Sequence, residues 1–212
     1  MTPRRPDGGR FRGMLRLMRL DLDRTVDACT DGTGAHGLRY WAHLIVPSAF
    51  SAIIFRLAHW LHRTGWRRLA ALATLCNQRL CGVSIHPASR IGPGLFIPHT
   101  VGVHLCCEAG RDLGAYPMVY VGPPLWPGWM GELPADSPRL GDKVLVGANS
   151  AVVGGVTLGD GVLVGIQVVV QKDVAPGSSL MVRPNWRTLH AADAAEPVDT
   201  SGKLWRSRDD IA

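Results

Sequence analysis

The sequence predicts a mainly β protein, a left-handed parallel β-helix with an α-helical N-terminal segment. Three observations predict it: a six-residue aliphatic repeat beyond residue 83, helical spacing of apolar residues before it, and one proline-rich interruption of the repeat. The expected organisation is a helical segment over 1–82, a β-helix over 83–180 with an inserted loop at 123–139, and a C-terminal tail over 181–212. With 212 residues, 46% of them hydrophobic, the chain can fill one ordinary core or two small ones.

From Phe11 to about Leu80 the apolar residues follow a helical period: Met14, Leu15, Met18 and Leu22 in one run, Ile53, Leu57, Trp60 and Leu61 in another. Asp31-Gly32-Thr33-Gly34 separates the runs. Pro47 is expected in the first turn of the longest helix, where a missing amide costs no hydrogen bond. The most apolar stretch, Leu44 to Phe55, runs about twelve residues and meets Arg56 and His59. A bilayer crossing needs roughly 20 residues, so no transmembrane span is expected.

The formal charge is +6, but seven arginines (Arg4, Arg5, Arg10, Arg12, Arg16, Arg19 and Arg24) crowd the first 24 positions, leaving the rest nearly neutral. That distribution argues against a nucleic-acid partner. The basic arm and the Trp60, His62, Arg63, Trp66, Arg67, Arg68 set read either as solvated surface or as a peripheral contact with an anionic membrane. Five cysteines, an odd number, and the lack of a signal peptide predict reduced thiols in a cytoplasmic protein. Neither Cys76/Cys81 nor Cys106-Cys107 has a matching second pair for zinc, and both read as small buried apolar residues.

Stepping by six from Ile85 gives Ile91, Ile97, Val103, Ala109, Ala115 and Val121, then, past the interruption, Leu140, Val146, Val152, Leu158, Val164 and Val170. All are aliphatic, and glycine follows many of them, as at 92, 110, 141, 147, 159 and 165. Such a register suits short strands joined by tight turns, with the aliphatic pointing inward and the glycine serving the turn. Three hexads make one coil, so residues eighteen apart should stack at about 4.7–4.9 Å, and the helices should cap an open end. The interruption, PPLWPGWMGELPADSPR, carries five prolines with Trp126, Trp129 and Met130. It reads as a lid or platform over a substrate, or as a loop packed on a neighbouring subunit.

The hexads, the segments IHPASRIGPGLFIPHTVGV and LGDKVLVGANSAVVGGVTLGDGVLVG, and the ending VVVQKDVAPGSS resemble the hexapeptide-repeat acyltransferases; the stretch around His99 is most similar to the serine O-acetyltransferases. The resemblance covers roughly residues 84–187 and implies a homotrimer or a dimer of trimers, active sites between adjacent β-helices, and acetyl-CoA or a related acyl-CoA as co-substrate, with no metal. His99 matches the family's catalytic histidine. Imidazole suits the role, because attack of a neutral hydroxyl on a thioester needs a base with a pKa near 7.

Other family positions are altered. Ser84 and Pro98 stand where the family carries the acids that orient its histidine, and Asp136-Ser137 replace an Arg-His pair that helps hold serine. Glu108, Asp112 or Asp136 is then left to supply a carboxylate, or the acceptor's own carboxylate does. Ala148 and Ile166 match positions whose backbone contacts the pantetheine arm, and Lys172, Arg183 and Arg187 are candidates for the CoA phosphates by position. Trp126, Trp129, Ser84 and Ser137 are the candidate acceptor contacts. The expected activity is acyl transfer from CoA to the hydroxyl of L-serine or a related small acceptor. Three rival readings stand beside it: an O-acetyltransferase for a sugar or specialised metabolite, favoured by the tryptophan-rich loop; a non-catalytic β-helix trimer; and a zinc enzyme resembling the β-helix carbonic anhydrases, from His86, His99 and His104.

Overall fold

The computed structural model describes residues 8–30, 37–43 and 46–182. Arg183 and Arg187 lie outside them, as do Arg4 and Arg5 of the basic arm. Four helices come first: α1 (Gly8–Cys29), α2 (Leu38–Ala42), α3 (Pro47–Arg63) and α4 (Arg67–Cys81). Pro47 does open α3, but the longest helix is α1, with 22 residues against 17. Gly82 closes α4 in the left-handed conformation that a helix C-terminus favours, its amide bonded to the Gln78 carbonyl at 3.0 Å. None of the described helices is long and apolar enough to cross a membrane.

The strands follow in five rungs: β1 (Val83–Ile85) and β2 (Arg90–Ile91); β3 (Val103–Leu105), β4 (Glu108–Ala109) and β5 (Gly114–Ala115); β6 (Tyr120–Gly122), β7 (Arg139–Leu140) and β8 (Leu145–Val146); β9 (Ala151–Val153), β10 (Thr157–Leu158) and β11 (Leu163–Val164); β12 (Val169–Val170) and β13 (Ser179–Leu180). They stack into three parallel sheets. The first runs β1-β3-β6-β9-β12, the second β2-β4-β7-β10 and the third β5-β8-β11-β13, making the left-handed β-helix. The inward aliphatics Ile85, Leu105, Val121, Val152 and Val170 form one buried column of its core. Phe55 and Ala52 of α3 join that core at the first rung.

The register departs from eighteen at three places: at the His99 corner, across the inserted loop, where Ala109 stacks on Leu140 thirty-one residues on, and before β13, where Val164 stacks on Leu180 sixteen on. Ile85 stacks on Leu105, twenty residues on, and Leu105 on Val121, only sixteen on. The corner after Ile97, Pro98-His99-Thr100-Val101-Gly102, is two residues longer than the repeat allows, and the run from Leu105 to Ala109 is shorter by as many. The expectation that Val103 stacks on Ile85, and His86 on His104, is corrected: Val103 sits over Val83, and His104 lies beside Ser84.

The glycines after the aliphatics do other work than the turn geometry expected of them. A Cβ on Gly110 would lie 2.9 Å from the Asp142 amide of the next rung, and one on Gly92 only 2.5 Å from the Gly110 carbonyl oxygen. Close approach of successive rungs excludes a side chain there. The left-handed positions of the β-helix are instead shared between Asp112, Met118, Lys143, Asn149 and Gln167 and a different set of glycines, Gly94, Gly102, Gly154, Gly161 and Gly177.

A buried ion pair fastens α1 and α3 to the first rung. Asp21 takes the Arg56 Nε at 2.7 Å, and its Oδ1 also accepts the Gly94 and Leu95 amides at 2.9 Å each. Arg56 donates in turn to the Ile91 and Gly92 carbonyls at 2.5 and 2.6 Å. All polar atoms of a buried pair are thereby answered, the condition under which such a pair is tolerated.

Candidate active site

The corners that return the chain from the third sheet to the first stack into one ridge. Its rungs are joined by bonds from the Met118 amide to the Val101 carbonyl (2.9 Å), Asn149 to Pro117 (3.0 Å) and Gln167 to Ala148 (3.0 Å). Met118, Asn149 and Gln167 hold φ of 57, 57 and 61°, which repeats the same tight corner on each rung. His99 stands on the lengthened corner at the start of this ridge, two residues before Val101, and Ala148 and Ile166 occupy its later rungs. Its ring is exposed and makes no side-chain hydrogen bond among the described residues. Around it Val101, Met118 and Ile166 are 66%, 55% and 63% exposed, a concentration of uncovered apolar surface.

The carboxylates proposed to serve His99 lie elsewhere in the single chain. Glu108 sits in the outer row of the second sheet and pairs with Arg90 at 2.9 Å, while Asp112 pairs with Arg24 at 3.5 Å on the corner between the second and third sheets. Asp136 is exposed in the inserted loop, and Lys172 is exposed on the corner between the first and second sheets. Ser84 is sealed within β1 at 1% exposure, and Ser137 is buried with its Oγ 3.9 Å from the Cys106 sulfur. His99, Ala148 and Ile166 fall on different rungs of one ridge; Glu108, Asp136, Ser84, Ser137 and Lys172 lie off it.

The inserted loop is strapped to its own chain. The Trp126 ring makes edge-on contacts with His86, His104 and Tyr120 at centroid distances of 6.5, 5.8 and 6.0 Å. The Ala88 amide donates to His86 Nδ1 at 3.2 Å, so His86 Nε2 carries the proton and donates to the Gly128 carbonyl at 3.1 Å. Burial pulls the His86 pKa down and keeps the ring neutral. His62 Nε2 bonds the Gly131 carbonyl at 3.0 Å, and Arg67 pairs with Glu132. Trp129 is half-buried in the same loop. These two histidine anchors were not foreseen. Their partners are backbone carbonyls, which any residue offers, so the sequence holds no signal for them.

Under the loop, against α3 and the second sheet, lies a polar cleft of about 720 Å³ lined by His59, Arg63, Arg90, Glu108, Ser137 and Arg139 among others. It does not include His99. No thiol is poised as a nucleophile there: burial pushes Cys106 up to about 11 and Cys107 still higher. Both His86 ring nitrogens are engaged by backbone, so of the histidines weighed for zinc His86 offers no free nitrogen, and no group of three metal-ligating side chains occurs among the described residues.

No protein-family model matches the chain. Among curated proteins it is similar to the serine acetyltransferase of Helicobacter pylori (strain ATCC 700392 / 26695), 31% identical over 163 residues covering 76% of this chain and 92% of that protein. It is 37% identical over 131 residues to the serine acetyltransferase of Mycobacterium tuberculosis, spanning 61% of this chain and 55% of that one. Among solved structures, the serine acetyltransferase of Vibrio cholerae superposes with a TM-score of 0.70 at 24% identity over 81% of this chain and 64% of its own, a likeness of fold. The Neisseria gonorrhoeae serine acetyltransferase in complex with serine gives a TM-score of 0.67 at 25% identity over 82% of this chain and 68% of its own.

Proposed function

Because this chain belongs to the serine acetyltransferase family, we propose that it moves an acetyl group from acetyl-CoA to the hydroxyl of L-serine or a closely related acceptor, with His99 as general base. The observation that carries the proposal is the placement of His99 on the lengthened corner, exposed and on the same ridge as Ala148 and Ile166. Imidazole takes the hydroxyl proton as the oxygen bonds to the thioester carbonyl carbon. The tetrahedral intermediate then collapses with cleavage of the carbon–sulfur bond, and the imidazolium returns the proton to the departing CoA thiolate. Cys106 and Cys107 are protonated and buried, which favours this direct transfer over an acyl-enzyme.

Exposed Val101, Met118 and Ile166 support a second copy of the chain seated against the His99 ridge, as in a trimer. That neighbour is the source we favour for a carboxylate, through Glu108 or Asp136, and for the acceptor contacts Trp126, Trp129 and Ser137; Ser84, sealed within β1, is withdrawn from that set. Lys172, Arg183 and Arg187 remain proposed partners of the CoA phosphates. The cysteines, all free, fit a protein of the reducing cytoplasm. A second reading keeps the chemistry and changes the acceptor to a sugar or specialised metabolite; Ser84 and Pro98 at the positions of the family's acids favour it.

The test is release of free thiol from acetyl-CoA by wild type and by His99→Ala, first with L-serine and then with a panel of amino acids, sugars and hydroxy acids. Turnover with serine that falls by about 10²–10⁴ in the variant supports the first reading. His99-dependent turnover with another acceptor alone selects the second, and His99-independent turnover rejects both.

A further inference from the structure

A second cavity, of about 560 Å³, opens between α1 and α3 against the rung corners that hold Pro93 and Arg111. It is separate from the His99 ridge, and from the polar cleft it is divided by α3, which sends His59 and Arg63 to both. Met14, Leu17 and Leu20 of α1, Trp60 of α3 and Pro93 give it an apolar lining. Its charged lining groups are all arginines: Arg16, Arg56, Arg63 and Arg111.

These cations are not equivalent. Arg56 is neutralised by Asp21 in the buried pair, whereas Arg16, Arg63 and Arg111 enter no ion pair among the described residues. The nearest acid on the corner, Asp112, faces Arg24 at 3.5 Å. His59 adds no charge, since burial draws its pKa down to about 4 and its Nδ1–H is given to the Pro87 carbonyl at 2.9 Å. Trp60 carries a buried indole Nε1–H with no acceptor among the described residues.

We propose that this cavity binds an amphipathic organic anion, its apolar body lying on Met14, Leu17, Leu20 and Trp60 and its carboxylate or phosphate meeting Arg16, Arg63 and Arg111. The volume falls in the range of small-molecule sites, and an apolar lining with a few convergent polar groups is their usual make-up. The net positive rim selects anions, and guanidinium groups match carboxylate and phosphate by paired N–H donors. The same chemistry could reach the site as a free acid or as the head and upper chain of an anionic lipid.

The probe is sodium octanoate, titrated by calorimetry into the whole protein, with octan-1-ol and inorganic phosphate as the neutral and the purely ionic comparators. Sedimentation with phosphatidylglycerol vesicles, against phosphatidylcholine ones, supplies the lipid arm. Saturable octanoate binding, tighter than either comparator and weakened at least tenfold in Arg16→Glu/Arg111→Glu, is expected. Co-sedimentation with phosphatidylglycerol that the same double substitution abolishes supports the site with lipid as the source of the anion. Trp60→Ala, which removes part of the apolar wall, should weaken octanoate by a smaller factor and reports on the interior if the arginine variant unfolds. Binding of octanol equal to that of octanoate, binding unchanged in both variants, or no binding of octanoate or vesicles overturns the proposal. Because Arg16, Arg111 and Trp60 are remote from His99, acetyl transfer in these variants separates failure of this site from failure of the catalytic reading.

Discussion

His99 and His59 illustrate how the same side chain is set to opposite tasks by its surroundings. His99 stands exposed on a corner with no side-chain hydrogen bond among the described residues. His59, packed under the helices, is held neutral down to about pH 4 from an ordinary value of 6.5. The unfolded chain therefore takes up the proton first as pH falls. The contribution of His59 to stability is complete above pH 6.5 and drains away between there and pH 4, on the order of 2–3 kcal/mol over that window. Urea unfolding of wild type and His59→Asn at pH 7 and pH 4.5 checks it: Asn keeps a donor for the Pro87 carbonyl but does not titrate, so the variant should lose less stability on acidification. Equal losses would assign the acid sensitivity to other groups. At this scale the sequence spoke clearly for His99, which sits in a recognisable pattern, and not at all for His59, His62 or His86, whose roles come from burial and from carbonyls far along the chain.

Among the elements, the join of helix to β-helix rests on Asp21 and Arg56. Removing either partner leaves a buried charge without its counter-ion, so Asp21→Ala and Arg56→Ala should each cost about 3–5 kcal/mol, with the double substitution costing less than the sum. Chemical denaturation of the three variants measures this; full additivity would show that the two groups act separately. Gly110→Ala addresses the stacking of rungs and should destabilise by about 1–3 kcal/mol, because the added methyl meets the Asp142 backbone of the next rung. Gly154→Ala is the control, since a Cβ there meets nothing within 4 Å and bears only the strain of φ 89°. The rungs themselves were legible from the aliphatic period, because every sixth residue answers to the same buried environment. The Asp21–Arg56 clasp was not: its members lie on different helices, 35 residues apart, and no period links them. The insertion of two residues at the His99 corner was hidden as well, since Val103 and Leu105 are both aliphatic and either satisfies the pattern.

For the whole molecule, the ridge of Val101, Met118 and Ile166 is the contact surface of the proposed trimer. Met118→Glu with Ile166→Glu should dissociate the protein to a monomer, seen by light scattering, and remove acetyl transfer at the same time, since the proposed site is shared between copies. An oligomer that survives both substitutions would move the interface to another face. The long rung beneath His99 and the short rung above it together occupy as many residues as two ordinary ones. The phase error of that corner is therefore cancelled before the chain reaches β6, independently of the inserted loop and of the shorter last coil that follow. Such compensation uncouples the reach of the base from the rhythm of the scaffold. The protrusion that carries His99 can be lengthened or trimmed in matched steps over evolution or by design, while Ala148 and Ile166 stay on the same vertical line.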